Sequence, residues 1–440
     1  MERNFWKKLE NWNDENLKEP LLVVGARQVG KTWLIKKFCE ERFESYLYIN
    51  LEERQDLISA FEDSLNPEII LRNLEILMGQ KVNPETCCIF IDEIQKSERA
   101  VTSLKYFCES PVNYRVIGAG SLLGVKLHRF HSSFPVGKVR IFHMYPMDFE
   151  EFLLACGEDL LRDAIVSSYD SMTPLPEGIH KKAIRLYTDY LFVGGMPQAV
   201  QNYVDVGKNV LAFDRTIHRD LLLAYTADMT KYTLNPAEGV KISQTYESIP
   251  RQLARENPKF KYSTIREYAN KRDFESSIDW LTASQMVIQS TSALSPRTPL
   301  SVYRQPGIFK LYLSDTGLLC TLSGMQYSNL MPETHNLFKG AVTENYVICA
   351  LHSKENESYY FKPDPSMEID QLIEKNGAVI PVEIKSGRHK RSTSLNNYIE
   401  KYKPPLAFRL SDFNFGEKLP LRSIPLYAAF CLFADLTKEK

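Results

Sequence analysis

At 440 residues the chain has room for about two to four domains, and its 25% charged and 44% hydrophobic residues are those of an ordinary globular protein. The 54 basic and 55 acidic residues leave a net charge of −1, which excludes a histone-like, polyanion-coating protein and leaves only a local basic patch open.

In chain order, Met1–Lys8 is charged and lacks an apolar segment, so no signal peptide is expected, and residues 1–18 read as a polar helix. Leu21–Val24 is a continuous apolar run, the pattern of a strand buried on both faces, and Thr32–Arg42 follows as a helix. Tyr46–Leu51, Cys87–Ile91 and Tyr114–Ile117 are further strands. Between them lie the helices Pro67–Gly79, opened by proline and closed by glycine, and Arg99–Ser110. Strands alternating with helices predict a parallel, doubly wound α/β sheet in residues 1–145. Residues 146–241 then read as a helical lid domain, with helices Phe149–Cys156, Lys181–Phe192 and Val210–Tyr225 and a loop at Ser167–Gly178. Residues 242–322 predict a winged helix, with a recognition helix at Asp273–Ser284 and a wing of strands Met286–Ser290 and Phe309–Leu313. A polar linker, Ser323–Asn336, opens a last mixed α/β domain, 323–440. That domain holds a helix at Lys339–His352 and strands at Ser358–Lys362, Glu368–Ile373, Ala378–Ile384 and Ala407–Leu410. Ile424–Ala434, interrupted by Pro425, is the longest apolar stretch. It is shorter than the roughly 20 residues of a membrane span and is read as a buried strand. The eight cysteines include no CxxC pair, so buried free thiols in a reducing, cytoplasmic setting are expected and no membrane partner.

Gly25-Ala26-Arg27-Gln28-Val29-Gly30-Lys31-Thr32 satisfies GxxxxGK[ST] after an apolar strand and at the start of a helix, which is the context a phosphate-binding loop requires. By chance its four fixed positions would occur somewhere in this chain about 1–2% of the time. Backbone N–H groups and the helix N-terminus would cradle the phosphates of ATP, Lys31 would reach them, and Thr32 would give its hydroxyl to Mg²⁺. Trp33, next in the helix, is taken with the loop as cofactor-binding. Ile89-Phe90-Ile91-Asp92-Glu93 is a strand ending in two carboxylates. At the C-terminal edge of a parallel sheet Asp92 would hold Mg²⁺, and Glu93 would orient and deprotonate the attacking water. Ser121, after the strand Arg115–Gly120, reads equally as a γ-phosphate sensor or as a helix cap.

With these residues, the first 240 positions resemble the prokaryotic AAA-type P-loop ATPases. The resemblance also rests on Gly120–Leu123, Tyr145–Phe152 and Gly194–Pro197, and Lys310–Leu318 is similar to that family's C-terminal extension. It implies ATP hydrolysis and an arginine supplied by a neighbouring subunit of a homo-oligomer, for which Arg27, Arg129 and Arg140 are candidates.

In Pro381-Val382-Glu383-Ile384-Lys385 a strand period of two puts Glu383 and Lys385 on one face. Asp370 lies on a neighbouring strand, and Glu344 sits on an otherwise apolar helix face with Ala341, Ile348 and Leu351. This Glu…Asp…Glu-x-Lys order resembles the PD-(D/E)XK restriction-endonuclease-like fold. That resemblance implies a metal held by Asp370 and Glu383 with support from Glu344, and catalytic roles for Glu383 and Lys385. Solvated cross-strand charges, or the same fold retired into a binding surface, are the alternatives. The basic run Lys385–Arg391 would meet a phosphate backbone or lie in a solvated loop. Few basic residues lie on the outer face of Asp273–Ser284, so a winged helix that packs on protein weighs as much as one that reads DNA. Two functions are therefore expected: an ATPase that drives a nucleic-acid-acting, nuclease-like tail, or an ATP-dependent binding switch whose tail is catalytically silent. A P-loop that merely stabilises the fold would not need Glu93.

Overall fold

The computed structural model describes all residues except 16–17, 128–134, 136, 232, 234, 257–258, 333, 335, 388–391 and 438–440. It divides into two compact units: residues 2–145 with 283–285, and residues 146–282 with 286–440.

In the first unit the strands β1 (Leu21–Val24), β2 (Ser45–Asn50), β3 (Cys87–Asp92), β4 (Arg115–Gly120) and β5 (Arg140–His143) form a sheet of order β2-β3-β4-β1-β5. Every neighbouring pair is parallel. β1 and β3 are buried along their whole length, as their unbroken apolar runs require, while β2 alternates with Leu47 and Ile49 inward. The helix Pro67–Met78 begins at the Asn66 cap and stops at Gly79 in the left-handed region. It packs Ile70, Leu71 and Leu74 into a core shared with β2, β3 and the helix Glu98–Glu109. All strands point the same way, so the ends of β1, β3 and β4 bring Gly25, Asp92 and Ser121 to one edge. The register Val24–Gly120 and Asp92–Ala119 fixes that alignment.

The second unit is built on β6 (Val287–Ala293), β7 (Arg304–Leu313), β8 (Ser358–Asp364), β9 (Met367–Lys375), β10 (Ala378–Ile384), β11 (Ala407–Ser411), β12 (Gly416–Lys418) and β13 (Leu421–Pro425). They form one sheet, β12-β13-β11-β10-β9-β8-β6-β7. The hairpin expected as a wing does form, with β6 and β7 antiparallel, but β6 also pairs in parallel with β8. The hairpin is thus the edge of the same sheet that residues 358–425 build.

The helices expected as a lid belong to this unit. Tyr187 and Tyr190 of the helix Glu177–Val193 pack edge-on against Tyr346, Asn414 exchanges two hydrogen bonds with the backbone of Leu175, and Lys354 pairs with Asp148 at 2.9 Å. Two sequence expectations are corrected. Ser167–Ser171 is not loop but the end of a helix, Asp159–Ser171, which turns Leu161, Ile165 and Ser168 inward and Leu160, Asp163, Ser167 and Asp170 outward. Ile424–Ala434 is not one strand. β13 ends at Pro425, a 3₁₀ turn covers Leu426–Ala428, and a helix runs over Ala429–Thr437. An all-apolar run has no alternation, so its pattern fits a buried helix as well as a buried strand.

Candidate active site

The phosphate-binding loop joins β1 to the helix Lys31–Arg42. Gln28 (φ 63°) and Gly30 (φ 97°) adopt left-handed conformations between ordinary ones, which turns successive N–H groups to one side and makes an anion-binding concavity at a helix N-terminus. Glycine at 30 meets the left-handed requirement without strain. Lys31, buried, donates through Nζ to the carbonyls of Gly25 (2.9 Å) and Ala26 (2.8 Å) and so lies folded along the loop. Arg3 braces the loop from behind, donating to the Val29 carbonyl at 2.8 Å.

The two sequence-predicted Mg²⁺ ligands are brought together. Thr32 Oγ1 donates to Asp92 Oδ2 at 2.7 Å, and Tyr48 donates to the same oxygen at 3.2 Å. Burial, then the charge of Asp92, pushes the Tyr48 phenol up to about 12, so it remains a donor across the physiological range. A hydroxyl and a carboxylate in contact at the mouth of an N–H-lined loop are oxygen donors of the kind Mg²⁺ takes alongside phosphate oxygens. Lys31, Thr32 and Asp92 therefore fit a Mg²⁺–nucleoside triphosphate.

Glu93 follows at the strand end with φ 51°, a left-handed conformation in a residue with a Cβ, which costs on the order of 1 kcal/mol or more. Burial raises its carboxyl above the usual glutamate range, the nearby Lys31 ammonium pulls it down, and Asp92 adds to the rise. Gln95, buried behind it, donates from Nε2 to Glu93 Oε2. A Cβ on Gly120 would lie 1.9 Å from Gln95 Oε1, so the glycine in β4 makes room for that side chain. Sequence reasoning missed both Gln95 and Tyr48. The period-two face of β2 was the signal for Tyr48, and for Gln95 no sequence signal existed beyond its place two residues after Glu93. Ser121 is buried at the end of β4 on the same sheet edge, whereas Trp33 is half exposed. Of the arginine-finger candidates, Arg27 lies in the loop, Arg140 pairs with Glu15 at 2.9 Å, and Arg129 falls outside the described residues.

The second constellation lies on one face of the eight-stranded sheet, under the helix Leu337–Ser353. Asp370 Oδ2 accepts the backbone N–H of Ile384 at 2.8 Å, tying β9 to the end of β10. Burial, and then the neighbouring Glu344, push its carboxyl up to about 7. Glu383, fully buried, faces Arg409 Nε at 3.6 Å and Lys385 Nζ at 3.4 Å. Glu344 receives Tyr312 (2.5 Å) and Lys310 (3.0 Å). Among the described residues no group of three or more His, Cys, Asp or Glu stands where together they could hold a metal ion, so Glu344 does not join Asp370 and Glu383 in one such group. Glu344 and Glu383 lie against cations of the chain instead. Arg388–Arg391 of the basic run lies outside the described residues. None of the described helices is long and apolar enough to cross a membrane.

A family model described as an AAA domain matches residues 17–153, and two models described as domains of unknown function match residues 184–329 and 339–421. No curated protein matches the chain. Solved structures similar to it include a Walker-type ATPase of Pyrococcus abyssi (16% identity, 73% of this chain and 95% of that one, TM-score 0.44). Others are the ORC2 protein of Aeropyrum pernix (12%, 78% and 93%, 0.34) and the DNA-bound ORC of Drosophila (11%, 72% and 84%, 0.27). These three likenesses are too distant to carry an argument about function. The AAA-domain match, which spans the loop, Asp92, Glu93 and Ser121, supports a P-loop AAA-type ATPase in residues 17–153.

Proposed function

We propose that the chain binds ATP with Mg²⁺, hydrolyses it, and uses nucleotide occupancy to alter what residues 146–440 bind. The observation that carries the proposal is the Thr32–Asp92 contact at 2.7 Å beside a buried Lys31, with Glu93 next in the chain. The N–H groups of residues 25–32 and the Lys31 ammonium hold the phosphates. Mg²⁺, which Thr32 and Asp92 would hold, neutralises phosphate charge when bound. Glu93 takes the proton of the attacking water at its carboxylate, and its raised proton affinity suits it to that work. Ser121 either contacts the γ-phosphate or caps the segment after it. Lys31→Ala abolishes ATP binding. Glu93→Gln keeps binding and loses roughly 10²- to 10⁴-fold in turnover, the worth of a general base. Isothermal titration and phosphate release read the two apart, and a Lys31→Ala protein with native ATP affinity would refute the assignment.

For the second unit the binding switch is the better supported reading. On the helix Lys271–Ala283 the exposed positions include Glu275 and Asp279, and Lys271 is paired with Glu275 at 3.1 Å. The exposed Lys271 and Arg272 balance those acidic groups, so the helix offers a DNA backbone no net basic face and fits a protein partner at least as well. The restriction-endonuclease-like fold is supported as a second reading by the order of elements. A helix bearing Glu344 is followed by antiparallel β8, β9 and β10, then the helix Thr393–Tyr402, then β11 parallel to β10. Nucleic-acid cleavage by Glu383 and Lys385 is not part of the proposal, because the buried Glu383 carboxylate lies against the cations Arg409 (3.6 Å) and Lys385 (3.4 Å), although its Oε2 accepts no hydrogen bond.

A further inference from the structure

Lys310 lies in the Lys310–Leu318 stretch singled out by sequence, and the nucleotide chemistry makes no use of it. It sits on β7 with its side chain 2% exposed. From there it reaches across the sheet face, passing over the Tyr360 ring on β8 at 4.8 Å, to Glu344 Oε1 at 3.0 Å and Glu368 Oε1 at 3.3 Å. Asp370, two residues beyond Glu368 on β9, is close enough to add to the field at the ammonium. Glu344 and Glu368 thus hold the buried Lys310 ammonium between them.

The surrounding charges balance. Glu368 Oε2 meets Lys362 at 2.5 Å, Lys385 acts on both Asp370 and Glu383, and Arg409 faces Glu383. Among the described residues Glu344, Glu368 and Glu383 thus each lie against a cation, drawn from Lys310, Lys362, Lys385 and Arg409, while Asp370 is held by the Ile384 N–H. A divalent ion placed beside Glu344 would meet the buried Lys310 ammonium, the opposite of what makes a carboxylate cluster bind metal.

We propose that Lys310 is the resident cation of this cluster. Its ammonium holds the place beside Glu344 where a metal supported by that carboxylate would sit, so Glu344 and Glu368 need no metal ion and the second unit acts as a binding surface and not as a nuclease. This deepens the binding-switch reading and rests on it for the role of the unit, but not for the charge balance, which is independent of ATP.

The test is Mn²⁺ binding to the nucleotide-free full chain, followed by electron paramagnetic resonance, so that hydrolysis at the P-loop does not enter. The wild type and Glu344→Gln should bind the same amount of Mn²⁺. Lys310→Ala should gain about one Mn²⁺ per chain, lost again when Glu344→Gln is added. A wild-type Mn²⁺ that disappears in Glu344→Gln or Asp370→Asn overturns the proposal, and that comparison holds even if Lys310→Ala does not fold. A folded Lys310→Ala that gains no Mn²⁺ overturns it as well, as does Mn²⁺-dependent cleavage of nucleic acid that Asp370→Asn abolishes. Failure of Glu93→Gln to slow ATP turnover would instead count only against the ATPase assignment.

Discussion

Glu93 and Gln95 show how a site is positioned by a residue that does no chemistry. Glu93 sits in a strained left-handed conformation, and Gln95, wedged against Gly120, holds one of its oxygens. A hydrogen bond to a charged group is worth about 1.5–3 kcal/mol, so Gln95→Leu should lower turnover by roughly tenfold to a hundredfold. ATP affinity should be unchanged, because Gln95 is placed to hold Glu93 and not the loop. The acid limb of the pH–rate profile should also move, since the bond from Gln95 lowers the proton affinity of Glu93 and its loss raises it. Unaltered turnover and an unmoved acid limb would remove the positioning role. The motif residues Gly25, Lys31, Thr32, Asp92 and Glu93 were legible from sequence because chemistry fixes their types and spacing. Gln95 and Tyr48 were not, because their partners come together only when β2, β3 and β4 lie side by side.

Among the elements, Gly194-Gly195, matched by sequence to the ATPase family, turns out to be a joint. Asp315 caps the helix Thr316–Leu322 through the Leu318 N–H at 2.9 Å and receives the Gly195 N–H at 2.6 Å. His218, on the helix Thr216–Lys231, bridges from Val193 O (2.9 Å) to Thr321 Oγ1 (3.0 Å). Burial lowers the His218 imidazole to about 4 from its ordinary 6.5, outweighing the Val193 carbonyl, and Arg215 lowers it further. Because its folded value is depressed, the unfolded chain takes up a proton first as pH falls from about 6.5 to about 4. Over that window the joint loses roughly 3 kcal/mol at 1.36 kcal/mol per unit. Burial raises Asp315 from 3.8 to about 6, against hydrogen bonds from Gly195, Leu318 and Gly317, so its contribution has the opposite sign between those values. The wild-type slope is therefore the difference of two opposed effects. His218→Gln removes one of them and should gain about 3 kcal/mol relative to wild type between pH 7 and pH 4, whatever its offset at neutrality. Parallel stability curves from denaturant titrations across that range would show that the histidine is not buried neutral.

Across the whole molecule, the parallel sheet was readable because β1 and β3 are unbroken apolar runs between helices with clear caps. In the second unit the helix Leu337–Ser353 and β8 to β11 were readable, the helical ends at Ser167–Ser171 and Ala429–Thr437 were not, and the pairing of β6 with β8 joins residues 68 apart in sequence (358 − 290), which no local pattern encodes. That pairing has a consequence for autonomy. Residues 323–440 alone would expose the β8 edge along Ser358–Tyr360 and would lose the Ser358–Ser290 hydrogen bond at 2.7 Å, keeping only the one from Ser358 to Gln371. They would also lose Lys310, leaving Glu344 and Glu368 without their shared cation, and a broken buried pair costs about 3–5 kcal/mol. Against a domain stability of roughly 5–15 kcal/mol, those losses together with the bared sheet are enough to prevent a cooperative fold. Residues 146–440 keep the whole sheet and the helices packed on it, including the Tyr187–Tyr346 and Leu175–Asn414 contacts. Thermal unfolding by circular dichroism should therefore show a cooperative transition for 146–440 and none for 323–440. A sharp transition in the shorter fragment would mean that β9 to β13 and their helices suffice without the β6–β7 hairpin and without the charge of Lys310.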